Sequence, residues 1–118
     1  MLERLILVTL IGMGCGSGAA VANDYPTEAR VQYVLECMAK YGGATHARMY
    51  QCSCSVDRLA AKLPYADFVE ADTYTRGKNA MGERGGILRE GRRARDRREK
   101  LAQTVAQAEK ACFLKTPE

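Results

Sequence analysis

The residues of this chain best suited to chemistry are soft donors close together in sequence. His46, Met49, Cys52 and Cys54 form the pattern H-x-x-M-x-x-C-x-C, and Cys37 and Cys112 lie further off. Thiolate, thioether and imidazole donors of this kind select Cu(I), so one reading is a copper-handling site on these four residues. The spacing C-x14-C-x-C-x57-C matches neither a zinc finger nor a zinc ribbon. The same cysteines can instead close two disulfides, which is the common use of an even set in a small exported chain. That is the reading we adopt, with Cys37, Cys52, Cys54 and Cys112 as staples and with no cofactor.

His46 is the only histidine, and there is no tryptophan. The chain contains no C-x-x-C-H, G-x-S-x-G, H-E-x-x-H or glycine-rich phosphate loop. Asp67, Glu70 and Asp72 are the acid–base candidates, but no second cluster joins them. A non-enzymatic role follows as the expectation.

Export is inferred from the amino end of the 118 residues. Leu5 to Met13 is an apolar run, and Ala20-Val21-Ala22 follows as an A-x-A cleavage site. A signal peptide over residues 1–22 leaves one domain over 23–118. Gly14-Cys15 offers a competing lipoprotein site, which would anchor the protein through Cys15. No other stretch approaches a membrane span of about 18 residues.

The elements that must position the cysteines read as helices. Asp24 to Thr27 resembles a helix entrance. Val31, Val34, Leu35, Met38 and Tyr41 follow at helical spacing, and Gly42-Gly43 ends the run. Thr45 can cap a second helix, whose apolar stripe is Met49, Cys52, Val56, Leu59, Ala60 and Leu63. Pro64 closes it and opens a third helix with Phe68, Ala71 and Thr75 on one face. Residues 76–86 read as irregular. A last helix then runs from about Ile87 to Leu114, with Leu101, Val105, Ala108 and Cys112 buried. The fold expected is an all-α, disulfide-stapled bundle of about four helices. Most of the six tyrosines should edge its thin core with their hydroxyls in water, and some should form a contact surface.

On a helix Cys52 and Cys54 point about 200° apart, so bonding them to each other is disfavoured. In a hairpin about Gly42-Gly43, both lie within a turn of the level of Cys37. Pairing Cys37–Cys52 with Cys54–Cys112 is slightly favoured by axial level. Pairing Cys37–Cys54 with Cys52–Cys112 is favoured by the apolar stripes, so connectivity stays open between the two.

The segment from Arg89 to Lys100 holds seven basic residues (Arg89, Arg92, Arg93, Arg95, Arg97, Arg98 and Lys100) against three acidic ones, and the chain's net charge is +4. Export removes nucleic acid as its partner. A docking surface for an acidic protein patch or an anionic membrane surface, touched but not spanned, is the functional reading. The alternative is a solvated helix half, projecting into water and held by local pairs such as Asp96 with Lys100 or Arg92.

The stretch from Val31 to Met38 with Gly42-Gly43, then Tyr50 to Asp57, Gly82-Glu83 and Ala111-Cys112-Phe113, resembles small exported four-cysteine helical proteins of proteobacteria. The resemblance covers most of residues 28–113. It implies the periplasm and a loose association with PQQ-dependent (quinoprotein) alcohol dehydrogenase systems. A quinoprotein dehydrogenase or a cytochrome c is then the expected partner. No catalytic residue comes with it.

Overall fold

A computed structural model describes residues 23–115, and the leader, Cys15 and the expected cleavage point lie outside them. The described chain is all-helical: α1 (Thr27–Lys40), α2 (His46–Lys62), α3 (Tyr65–Gly77), α4 (Glu83–Glu90) and α5 (Arg92–Ala111). Helix α5 packs on both α2 and α3, α1 packs on α2, and α4 bridges α3 and α5.

Local chemistry sets most of the boundaries. The Thr45 hydroxyl accepts from the Arg48 amide at 3.1 Å and caps α2. Pro26 and Pro64 stand at the entrances of α1 and α3, where a missing N–H costs nothing. At the end of α1, the Gly43 amide donates to the Met38 carbonyl at 2.8 Å, with Gly42 at φ +96°. This Schellman turn needs a left-handed residue, which glycine supplies without strain. Helix α5 ends in the same way, but Phe113 takes the left-handed position at φ 62°. There the Leu114 amide donates to the Glu109 carbonyl at 3.0 Å. The turn carries Leu114 into the core beside Cys37, Tyr41 and Cys52.

A second, larger core joins Tyr25, Val56, Leu59, Leu63, Ala71 and Leu101, with Phe68, Tyr65 and Val105 packed against it. The Tyr25 ring meets Tyr65 edge-on at 5.1 Å between centroids.

Four expectations are corrected. The last helix is broken at Gly91, whose extended ψ of 136° separates α4 from α5, so there are five helices. Val31 and Leu35 are 53% and 57% exposed, because α1 meets α2 through Tyr33, Val34, Cys37 and Tyr41 instead. Three tyrosine hydroxyls are not in water. Tyr25 donates to the Leu63 carbonyl at 2.9 Å, Tyr33 bonds Ser55 at 2.9 Å, and Tyr41 donates to Glu109 at 2.6 Å. Finally, the basic half of α5 lies against α3 instead of projecting into water. Ala94 is buried there, and Arg93 and Arg97 reach carboxylates of α3.

Candidate functional site

The four cysteines form two disulfides, Cys37–Cys52 and Cys54–Cys112, each with its Cα atoms 5.9 Å apart. The first joins α1 to α2, and the second joins α2 to the end of α5. Two residues apart on one helix, Cys52 and Cys54 therefore serve opposite neighbours. Axial level, and not the continuity of the apolar stripe, decides the pairing. Cys52 is fully buried and Cys37 and Cys112 nearly so.

Beside the bridges sits a buried acid. Glu109 is only 7% exposed, and its carboxylate accepts from the Lys40 ammonium at 3.0 Å and from the Tyr41 hydroxyl. The lysine lies at the end of α1, so this cluster ties α1 to α5 directly. Burial alone would lower the Lys40 pKa, but the hydrogen bond and charge of Glu109 outweigh it and raise the value. Tyr41 is raised by burial and then by the same carboxylate. No feature of the sequence pattern marked Glu109, because its partners lie 68 and 69 positions away.

The copper reading places its donors as follows. His46 is exposed at the first residue of α2, and Met49 is 39% exposed. Cys52 and Cys54 are oxidised, so neither offers a thiolate in this state. Among the described residues, no group of three or more His, Cys, Asp or Glu side chains is placed to hold a metal ion.

The basic segment divides into three groups by partner. Arg93 pairs with Glu70, and Arg97 contacts Glu70 at 3.3 Å and Asp67 at 3.6 Å. The Arg93 hydrogen bond holds the Glu70 carboxyl below its usual range. Arg89 and Arg98 donate to main-chain carbonyls, Arg89 to Ala80 and Arg98 to Leu88 and Arg89. Arg92, Arg95 and Lys100 are exposed and make no ion pair among the described side chains. The acid–base candidates are thus ion-pair partners: Asp67 and Glu70 hold α5, and Asp72 binds Arg76 on its own helix.

Arg76 also crosses to α1, where it meets Glu36 at 3.0 Å. Beneath that span runs a groove of about 310 Å³ between α1 and α3, floored by Leu101 and Val105. A second cleft of about 500 Å³ lies between α3 and α5. No helix among the described residues is long and apolar enough to cross a membrane. No family model, curated protein or solved structure matches the chain.

Proposed function

We propose that the chain is exported to the periplasm and serves there as a non-enzymatic accessory or binding protein of an exported redox system. Its partner is then a quinoprotein dehydrogenase or a cytochrome c. One observation supports the export half of this reading, whose partner rests on the resemblance alone: all four cysteines of the described chain are oxidised, and their bridges tie α1, α2 and α5. Disulfides persist in oxidising compartments, and they stabilise a core too thin to hold unaided. With its thiols used for structure, the chain offers a partner a rigid helical surface.

The test uses the full chain expressed with its own amino terminus. The periplasmic form should begin at Asn23 and lack the hydrogens lost in forming two disulfides, as read by intact mass. Cross-linking in cells that make an exported dehydrogenase should join it to that enzyme or its cytochrome. A cytoplasmic protein with free thiols would contradict the reading, and so would one joined to neither. A form acylated at Cys15 would replace the free periplasmic protein by a membrane-anchored one.

A further inference from the structure

The cleft between α3 and α5 combines a basic rim with an apolar lining. Its rim carries Lys78, Arg95, Arg98 and the exposed Ala102, and Leu101 and Val105 lie deeper. Four cations outside the cleft, Arg93, Arg97, Arg76 and Lys40, are each neutralised by a carboxylate, while Arg92 and Lys100 are not. The three cations of the cleft are also unpaired, and they stand together beside apolar side chains. Arg98 is held by two main-chain carbonyls, which orient the guanidinium without cancelling its charge. Lys78 and Arg95 make no ion pair among the described side chains. One acid, Glu99, shares the rim one turn from Arg95 and accepts from Gln103 at 3.0 Å. Three positive charges against one negative charge leave the rim cationic.

We propose that this cleft binds a single-chain anionic amphiphile, a long-chain fatty carboxylate. The carboxylate sits between Lys78 and Arg95, and the chain lies over Leu101 and Val105. Charge complementarity selects the head group. The lining selects the tail, since Leu101, Ala102 and Val105 offer no side-chain hydrogen bond, and the Thr75 hydroxyl is already donated to the Ala71 carbonyl at 2.9 Å. Leu101 and Val105 also floor the neighbouring groove, where Phe68 and Tyr33 extend the apolar track. This inference is independent of the identity of the protein partner.

The experiment is calorimetric titration of the oxidised mature chain with dodecanoate below its micellar range. Acetate and dodecyl maltoside serve as head-only and uncharged-chain controls. Saturable one-to-one binding of dodecanoate alone is expected. Lys78→Gln with Arg95→Gln should weaken it by about tenfold or more, because two charge-assisted contacts are removed. Ala102→Glu, an exposed position, should abolish binding while leaving the melting transition in place. No saturable binding of dodecanoate would overturn the proposal, as would binding indifferent to both variants. Uptake onto phosphatidylglycerol vesicles without binding of monomeric dodecanoate would also overturn it, assigning the basic rim to a membrane surface.

Discussion

The two halves of α5 are held by different physics. Its carboxyl half is fixed by the Cys54–Cys112 bridge, by Leu114 folded back into the core and by a buried carboxylate shared between Lys40 and Tyr41. Its amino half rests on α3 through Ala94 and through arginines set on partly exposed carboxylates. Exposed pairs contribute little each and are screened by salt, whereas a covalent tie and a buried cluster are not. The rigid end therefore frames the domain, and the amino half is the part with charge to spare for a ligand.

Removing the covalent tie should separate the two halves most strongly. Cys54→Ala with Cys112→Ala opens a link across 58 positions and should cost about 4 kcal/mol in urea unfolding. The same change at Cys37 and Cys52, 15 positions apart, should cost about 3 kcal/mol. If the Cys54–Cys112 pair proved the cheaper to lose, the end of α5 would be held mainly by its packing.

Next in size is the buried acid. Glu109→Gln keeps the shape but leaves Lys40 without a countercharge and should cost about 1–2 kcal/mol. Its setting also has a pH signature. Lys40 and Tyr41 both titrate above their ordinary values in the folded chain. Their stabilising contribution is therefore complete below about pH 10 and is lost as pH rises through the raised folded values. Tyr25 and Tyr33, also raised by burial, share that alkaline loss. Tyr41→Phe should flatten the alkaline limb of a stability–pH curve without removing it.

The arginine end should behave in the opposite sense. Glu70 is held low by Arg93, and Glu36 by its bonds to Gln32 and Arg76. Their contributions are present above about pH 4 and fade as pH falls through the lowered folded values. Arg93→Gln with Arg97→Gln should lower stability slightly at low salt, less at high salt, and should shrink the acid limb. A loss as large at high salt would mean that the arginine stems, and not their charges, hold α5 to α3.

Smallest of all is Arg92→Gln. This exposed residue makes no ion pair among the described side chains, and its replacement should change stability by less than about 0.5 kcal/mol.

Legibility in the sequence followed the same division. Local signals placed the helix boundaries well: the Thr45 cap, the Gly42-Gly43 turn, Pro64, and the stripe from Leu101 to Cys112 all stand in the structure. Long-range choices were less visible. Cys52 and Cys54 lie within a turn of each other, so periodicity could not rank their partners against axial level. Val31 and Leu35 fit a helical stripe, yet Tyr33, off that stripe, joins the interface, where its hydroxyl bonds Ser55. The arginines encircle α5, which suggests solvent until α3 supplies Asp67 and Glu70 from 23 and more positions away.

Which sulfur of α2 goes to which neighbour decides the frame of the domain. Tryptic digestion of the unreduced protein leaves Cys52 and Cys54 on one peptide, Met49 to Arg58. Fragmenting that linked peptide between the two cysteines in a mass spectrometer resolves the pairing. We expect the Cys37 peptide attached on the Cys52 side and the Cys112 peptide on the Cys54 side. The reverse attachment, or free thiols in protein taken from an oxidising compartment, would contradict the stapled frame on which both the partner surface and the cleft depend.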